Sequence, residues 1–368
     1  MEAGFLPRAG FQALLDTLHR AGYRCVGPQV RDGAIVYDTL DKAGALPQGA
    51  RDRQSPGQYR LEKTASPRYF SWANGPQALK PFLFTPREAM WRAERDVHGA
   101  IRFSEIRPAA EMLAVIGARA CDLAALRLQD RHFLQGRFAD PYYAARRKNI
   151  FLVAVHCTHP ADTCFCASTG DGPRATQDFD IALSELDDGY LVQTGSDKGS
   201  AITAQLPLVP ATDAQRRDSG QEVQEAARRQ TRGLPSRNLR DVLFANLEHP
   251  RWENVAERCL SCGNCTSVCP TCFCHSETDE TALDDHQSRH VRQWDSCFTQ
   301  GHSYIHGMTI RADTRTRYRQ WLSHKLGSWH DQYGRSGCVG CGRCIAWCPV
   351  GIDITEEARE IGGGGGHG

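Results

Sequence analysis

The pattern of apolar and polar positions in the first half of the chain predicts alternating helices and strands. An amphipathic helix is expected over residues 10–22, where apolar side chains return every three or four positions. The stretch RCVGPQVRDGAIVYD predicts a β-hairpin that turns at Asp32 and Gly33. Two short apolar runs, at residues 113–116 and 150–155, predict buried strands on either side of a helix in CDLAALRLQDRHF. This alternation predicts an α/β domain over residues 1–195.

The second half of the chain has a different pattern. Residues 196–235 are rich in polar side chains and interrupted by Pro and Gly, which predicts a linker or lid. Apolar spacing in LRDVLFANLEHPRW and RADTRTRYRQWLSHKLG then predicts helices within a mostly α-helical region over residues 236–357. The last segment, residues 358–368, ends in GGGGGHG and is predicted to be a disordered tail.

Composition and charge narrow the functional classes. The 368 residues include 44 Lys and Arg against 43 Asp and Glu, a net charge of +1, which argues against a nucleic-acid-binding protein. The N-terminus lacks the pattern of a secretory signal, and no apolar run is long enough to span a bilayer, so we expect no membrane insertion. A cytoplasmic location is therefore predicted, and in that reducing setting the 16 cysteines indicate metal ligands rather than disulfides.

Two cysteine runs share the spacing C-x2-C-x2-C-x3-C followed by proline. This spacing is typical of [4Fe–4S] binding in which the fourth cysteine of each run serves the other cluster. It predicts two [4Fe–4S] clusters in a ferredoxin-like domain. Zinc is the alternative metal, but zinc sites commonly use separated CxxC pairs. The predicted ligands are Cys259, Cys262, Cys265 and Cys348 for one cluster, and Cys338, Cys341, Cys344 and Cys269 for the other.

Four cysteines in the α/β half predict a third [4Fe–4S] cluster. Cys121 and Cys157 each follow one of the two predicted buried strands, and Cys164 and Cys166 lie on the next loop. If those strands are parallel neighbours, all four thiols emerge at the same edge of the sheet. Cys121 is also expected near a helix N-terminus, where the helix dipole favours thiolate. The alternative is that they are buried free thiols, as is expected of the isolated Cys25.

The tetrapeptide Thr-Cys-Phe-Cys occurs twice, at residues 163–166 and 271–274. The second copy supplies Cys272 and Cys274, and Cys297 lies a short distance further along the chain. Three thiols are one fewer than a cubane cluster needs. They could form a further centre with a ligand such as His275, or tune the potential of a neighbouring cluster. No role is assigned to the nearby histidines, which are His286, His290, His302 and His306.

Motifs for nucleotide cofactors and hydrolytic catalysis are missing from the sequence. No G-x-G-x-x-G follows a predicted strand, and neither a P-loop nor a G-x-S-x-G elbow is present. A chain with predicted clusters but no flavin or nicotinamide motif must receive and pass on electrons through partner proteins.

Five stretches together resemble the β subunit of cytoplasmic sulfhydrogenases, a family that includes one of the subunits of anaerobic sulfite reductase. They are DGAIVYD, GARACDLAALRLQDRHF, HCTHPADTCFCAS, RCLSCGNCTSVCPTCFC and SGCVGCGRCIAWCPVGIDITEE. The resemblance implies a non-catalytic iron–sulfur subunit that relays electrons between the small subunit of a nickel–iron hydrogenase and a flavin/NAD(P)H-binding subunit. It also implies ligand roles for the eight cysteines of the two runs. The four cysteines of the α/β half match family cysteines too.

Two other functions fit the same stretches. The chain could be the electron-transfer subunit of an anaerobic sulfite reductase, with a partner that reduces sulfite or sulfur. It could instead reduce sulfur or polysulfide itself, and Cys272, Cys274 and Cys297 would then be the site.

Overall fold

The computed structural model describes residues 2–109, 111–235, 238–283 and 286–363. Fifteen β-strands are formed within these ranges. They are β1 (Glu2–Pro7), β2 (Arg24–Arg31), β3 (Ala34–Thr39), β4 (Ala50–Ser55), β5 (Gln58–Lys63), β6 (Arg87–Arg95), β7 (Ile101–Glu105), β8 (Leu113–Ala118), β9 (Ile150–Val155), β10 (Ile181–Glu185), β11 (Gly189–Thr194), β12 (His275–Thr281), β13 (Gln287–Trp294), β14 (Tyr304–Ile305) and β15 (Met308–Thr309).

Fourteen α-helices are formed in the same described ranges, several of them a single turn long. They are α1 (Phe11–Arg20), α2 (Lys80–Leu83), α3 (Ala120–Leu134), α4 (Pro141–Lys148), α5 (Cys166–Thr169), α6 (Asp197–Thr203), α7 (Asp213–Arg228), α8 (Leu239–Ala245), α9 (Arg251–Arg258), α10 (Asn264–Ser267), α11 (Thr314–Ser323), α12 (Trp329–Tyr333), α13 (Arg343–Ala346) and α14 (Ile354–Ile361). None of the helices in the described ranges is long and apolar enough to cross a membrane.

A seven-stranded mixed sheet forms the α/β part, in the order β1-β11-β10-β9-β8-β2-β3. Its four central strands, β2, β8, β9 and β10, are parallel, and antiparallel strands flank them on both sides. The predicted hairpin at Asp32 and Gly33 is confirmed as β2–β3. The two predicted buried strands are confirmed as β8 and β9, which pair in parallel.

The central strands are apolar throughout because both faces of the sheet are covered. Alternate residues of β9 point to opposite faces, so that Phe151 and Val153 pack in the core that includes α1. Leu152 and Ala154 pack in the core that includes α3. The helix in CDLAALRLQDRHF is therefore confirmed as α3, on the face opposite to α1.

A second sheet joins the two halves of the chain. Its four strands lie in the order β12-β13-β6-β7. The hairpin β6–β7 comes from the α/β half, and β12–β13 comes from the region between the two cysteine runs. They meet along an antiparallel β6–β13 pairing that runs from Gln287 opposite Glu94 to Gln293 opposite Arg87.

The segment predicted as a linker or lid, residues 196–235, contains two helices. Helix α6 is capped by the Ser196 side chain, which accepts from the backbone N–H of Gly199. Helix α7 begins with a capping box between Thr212 and Gln215. A linker was predicted here because the segment contains Pro and Gly. The capping residues, and the good helix formers Gln, Glu, Arg and Ala between them, were not taken into account.

The region predicted as mostly α-helical also contains strands β12 to β15. Strands β12 and β13 are polar, and their pairing partner β6 lies far away in the sequence, so local patterns did not reveal them. The helix predicted in LRDVLFANLEHPRW is two helices, α8 and α9, because Pro250 begins a new helix after a break at Asn246. The prediction of a mostly α-helical ferredoxin-like domain is thus not confirmed, because helices and strands are mixed in this region.

The predicted tail begins too early. Helix α14 runs to Ile361, and its Ala358 and Ile361 are buried against Trp252 and neighbouring residues of one core. The remaining glycine-rich part of that prediction, residues 364–368, lies outside the described residues.

Candidate metal centre

Four cysteines from both ends of the ferredoxin-like region meet around a first cavity, called site 1. Cys259, Cys262 and Cys265 lie on the loop between α9 and the first turn of α10, and Cys348 follows α13. All four line one cavity. Backbone N–H groups point at two of the sulfurs, from Ser261 to Cys259 at 3.4 Å and from Ile352 to Cys348 at 3.3 Å.

The other four cysteines of the two runs form site 2. Cys338, Cys341 and Cys344 lie on the loop that leads into α13, and Cys269 reaches them from the first run. The Cys344 thiol interacts electrostatically with all three of the others. The backbone N–H of Gly340 donates to the sulfur of Cys338 at 3.4 Å. Each run therefore contributes three cysteines to one site and its fourth to the other, as the spacing predicts.

The first Thr-Cys-Phe-Cys segment packs directly on the site 2 loop. Gly340 has φ +63°, and a Cβ there would lie 2.5 Å from the backbone nitrogen of Cys166. The backbone N–H of Phe165 donates to the carbonyl of Gly340 at 2.8 Å. Glycine is thus required at 340 both by the backbone conformation and by the close approach of the two loops.

The four cysteines of the α/β half gather around a third cavity, called site 3. Cys121 lies in the first turn of α3, just beyond β8, and Cys157 follows β9. Because β8 and β9 are parallel neighbours, both thiols emerge at one edge of the sheet, where Cys164 and Cys166 join them. All four line one enclosed cavity.

A buried cation faces site 3. Arg119 lines the cavity and is only 2% exposed, and its side chain lies over the ring of Trp72. Its Nη2 atom donates to the carbonyls of Phe70 and Trp72, whereas Nε and Nη1 have no hydrogen-bond partner among the described residues. A buried guanidinium group with unsatisfied donors calls for an anion. Gln230 adds a further donor, at 3.4 Å from the sulfur of Cys166.

Burial opposes ionisation of at least one thiol at each of the three sites. It raises the pKa of Cys265, Cys344 and Cys164 well above the usual range, and neighbouring thiols raise it further. The same holds for the pKa of Cys121, so burial outweighs the helix dipole that was expected to favour its thiolate. Buried thiolates therefore need a positive partner, which the iron ions of a cluster supply.

The spacing of the thiols matters for the kind of metal group. Across the described ranges, no three His, Cys, Asp or Glu side chains come close enough together to hold a single metal ion. The thiols instead surround cavities. A [4Fe–4S] cluster, whose four cysteines attach to the corners of a multi-atom core, fits this donor set.

The second Thr-Cys-Phe-Cys segment lies beside sites 1 and 2 and is organised differently. Here the thiols interact electrostatically in pairs, Cys272 with Cys269 and Cys274 with Cys297. His302 also interacts electrostatically with Cys274. His275, the ligand suggested from the sequence, instead points Nδ1 at the carbonyl of Phe273 and packs on Phe84.

Two buried lysines accompany these thiols. The ammonium group of Lys325 donates to the hydroxyl of Thr271 at 2.8 Å and contacts the sulfur of Cys269. Lys80 on α2 donates to the carbonyl of Ser267 at 3.1 Å and lies 3.8 Å above the ring centre of Trp294. Burial lowers the pKa of Lys80 to about 8.

The twelve cysteines predicted as ligands come together in the three expected groups, but sequence reasoning missed the side chains around them. Arg119, Lys80, Lys325, Gln230 and His302 carry no motif of their own. The one available signal was position, since Arg119 immediately precedes the Ala-Cys-Asp stretch.

Comparisons with known proteins agree with this architecture. Two family models, each described as a 4Fe-4S dicluster domain, match residues 258–352 and 223–273. Sulfhydrogenase 2 subunit beta of Pyrococcus furiosus is 33% identical over 291 residues, which cover 76% of this chain and 82% of that protein. No solved structure matches the chain. The chain therefore belongs to the sulfhydrogenase beta-subunit family and is an iron–sulfur electron-transfer subunit.

Proposed function

We propose that the chain relays electrons through three [4Fe–4S] clusters, one at each of sites 1, 2 and 3. Cys259, Cys262, Cys265 and Cys348 would hold the first cluster, and Cys338, Cys341, Cys344 and Cys269 the second. Cys121, Cys157, Cys164 and Cys166 would hold the third. Each cluster takes up and releases single electrons, and the protein sets its potential through burial and hydrogen bonds to sulfur.

The observation that carries this proposal is the adjacency of the three sites. Cys344 belongs to site 2 and also lines the cavity of site 1. Cys341 belongs to site 2 and also lines the cavity of site 3. Site 2 thus lies between the other two and shares a wall with each. Such an arrangement gives electrons a short path from one end of the row to the other.

Site 1 is the terminus best placed to exchange electrons with a partner. Cys262 is exposed, and Leu260 on the same loop is 63% exposed. At the other end, Gln230 and Arg119 cover the buried thiols of site 3. We propose that site 1 faces one partner protein directly.

The partners that we propose are a flavin/NAD(P)H-binding subunit on one side and a nickel–iron hydrogenase small subunit on the other, in the cytoplasm. Support comes from membership of the sulfhydrogenase beta-subunit family, since the chain itself has no flavin or nicotinamide motif. An anaerobic sulfite reductase is the alternative assembly, in which the same clusters would supply a sulfite-reducing subunit.

The first experiment is to measure iron and acid-labile sulfide in the full chain purified without oxygen. Three clusters require about twelve irons per chain, and two require about eight. A value near twelve supports the proposal. A value near eight would remove site 3 from the electron path, and a colourless protein that contains zinc would overturn the proposal altogether.

A second measurement tests the partners. The reduced chain would be mixed with a purified hydrogenase module or with a sulfite reductase module, and cluster reoxidation would be followed by visible absorbance. Rapid reoxidation by the hydrogenase module supports the proposed assembly. Reoxidation by the sulfite reductase module alone would favour the alternative.

A further inference from the structure

A buried positive charge distinguishes site 3 from site 1. Arg119 lines the cavity of site 3 and is 2% exposed. Within the part of the chain that the structure describes, no carboxylate pairs with its guanidinium group, and Nε and Nη1 have no hydrogen-bond partner. The charge is therefore screened neither by water nor by an ion pair, and it acts at nearly full strength on whatever occupies the cavity.

The surrounding chain fixes the guanidinium group of Arg119 in this place. Its Nη2 atom donates to the carbonyl of Phe70 at 2.9 Å and to that of Trp72 at 2.6 Å. Its central carbon lies 4.3 Å from the centre of the Trp72 ring. These contacts use one nitrogen and one face of the group, so the donors of Nε and Nη1 remain for an anion in the cavity.

The carboxylates near site 3 have partners of their own. Asp122 forms an ion pair with Arg343 at 2.8 Å. Asp171 binds Arg335, with 2.8 Å between Oδ1 and Nη1. Asp52 accepts a backbone N–H at 2.7 Å and also accepts from an amide side chain. These partners weaken the negative charges around the site, so the buried guanidinium charge is not cancelled by them.

A second donor reaches site 3 from the segment that follows α7. The side-chain oxygen of Gln230 accepts the backbone N–H of Ala167 at 3.0 Å, which orients the amide. Its Nε2 atom lies 3.4 Å from the sulfur of Cys166. Hydrogen bonds to a ligating sulfur stabilise the added negative charge of a reduced cluster. Gln230 therefore acts in the same direction as Arg119.

Site 1 has no comparable cation. No Lys, Arg or His side chain of the described ranges lines its cavity, whose walls are mostly apolar and include Phe298 and Trp321. Arg258 precedes the first cysteine of the site, but its side chain is 40% exposed and binds Glu357 at 2.9 Å. Water at the exposed Cys262 offsets part of the difference, whereas the other three thiols of site 1 are partly buried. An added negative charge is therefore less well stabilised at site 1 than at site 3.

We propose that Arg119 and Gln230 make site 3 the low-energy end of the row, where an electron is held more firmly than at site 1. This inference rests on the proposed function, because it requires a cluster at each site. The difference in potential favours electron flow from site 1 to site 3. The partner that meets the exposed edge of site 1 is then an electron donor, and the acceptor is served from site 3.

The test is a potentiometric titration of the cluster-loaded full chain without oxygen, followed by electron paramagnetic resonance. Two ligand variants assign the midpoint potentials. The midpoint that is lost in Cys157→Ala belongs to site 3, and the one that is lost in Cys262→Ala belongs to site 1. We expect the site 3 midpoint to be higher by about 59 mV or more, which for one electron is a tenfold preference.

Variants of the two donors test the cause of that difference. Arg119→Met removes the buried charge and should lower the site 3 midpoint by about 59 mV or more, a tenfold change, whereas Arg119→Lys should stay closer to the wild type. Gln230→Glu keeps an acceptor for the Ala167 N–H but adds a negative charge beside Cys166, so it should lower the same midpoint. Arg102→Gln, which removes an exposed charge on β7, should leave every midpoint unchanged.

The iron content of each preparation separates failure of this inference from failure of the proposed function. About twelve irons with a site 3 midpoint at or below that of site 1 would overturn the inference and leave the three-cluster relay intact. About eight irons in the wild-type chain would overturn both. If Arg119→Met loses iron because it folds poorly, Gln230→Glu decides, and an unchanged site 3 midpoint in that variant would contradict the inference.

Discussion

The ammonium group of Lys325 lies 3.5 Å from the sulfur of Cys269, the cysteine that crosses from the first run to site 2. Lys325 is 3% exposed, and the Thr271 hydroxyl to which it donates lies 3.2 Å from the same sulfur. Its charge is therefore scarcely screened by water. A positive charge at a ligating sulfur stabilises the reduced, more negative state of a cluster.

Replacing Lys325 should lower the reduction potential of the cluster proposed at site 2. In Lys325→Met we expect a drop on the order of 60 mV, which for one electron is a tenfold change in the equilibrium constant. Lys325→Arg keeps the charge and should stay closer to the wild-type value. Potentiometric titration monitored by electron paramagnetic resonance measures both. An unchanged potential in the methionine variant would show that Lys325 has only a structural role.

The iron content of two cysteine variants should separate site 3 from a structural thiol. Cys157→Ala removes a proposed ligand, so the chain should lose about four irons, the content of one cubane. Cys25→Ala removes a buried thiol on β2 that belongs to no site, and its iron content should match the wild type. Equal iron in both variants would contradict a cluster at site 3.

The buried ion pair between Arg343 and Asp122 should contribute strongly to stability. It joins the site 2 loop to α3 across 2.8 Å, and its two side chains are only 1% and 2% exposed. Asp122→Ala leaves a buried guanidinium group without its carboxylate, which typically costs about 3–5 kcal/mol. Urea denaturation without oxygen measures the loss.

The surface pair between Arg53 and Glu62 provides the matched control for that measurement. Its side chains are 75% and 44% exposed, and water screens their attraction. Glu62→Ala should therefore change the free energy of unfolding by less than about 1 kcal/mol. If both variants lost a similar free energy of unfolding, the buried pair would contribute no more to stability than the exposed pair does.

His132 should make the protein less stable as the pH falls. Its ring stacks on Phe273 with centres 3.5 Å apart, and burial lowers its pKa to about 4. In the unfolded chain the pKa is about 6.5, so the unfolded state takes up a proton first and stability is lost between about pH 6.5 and pH 4.

His132→Phe keeps the stacked ring but cannot take up a proton. Between pH 7 and pH 5 the free energy of unfolding of the wild type should fall by about 1–2 kcal/mol more than that of this variant. This range takes into account that the ring is partly exposed, which weakens the effect. Denaturation midpoints at the two pH values give the difference. Parallel losses in both proteins would assign the pH dependence to other groups.

The parts of the molecule that were predictable from sequence are those governed by local patterns. Strands β8 and β9 show as uninterrupted apolar runs because both of their faces are buried. The cluster loops show as cysteine spacing because cluster geometry allows few arrangements. The edge position of Cys121 and Cys157 then follows from two parallel strands, without any structural information.

Features that depend on distant contacts were not predictable. The polar strand β12 carries no apolar alternation, and it is stabilised by β13, which itself pairs with β6 from the other half of the chain. The partners of the cysteines were missed for the same reason. Arg119 and Lys325 look like ordinary surface residues in the sequence, and only the folded chain shows that they are buried beside sulfur.

The shared sheet β12-β13-β6-β7 determines when folding can be completed relative to synthesis of the chain. Hairpin β6–β7 leaves the ribosome long before β13, so the edge of β6 that will pair with β13 stays open in the meantime. Open strand edges invite pairing with other chains. The charged residues of β6, including Arg87, Glu88 and Glu94, counter that hazard until the C-terminal half arrives and covers the edge.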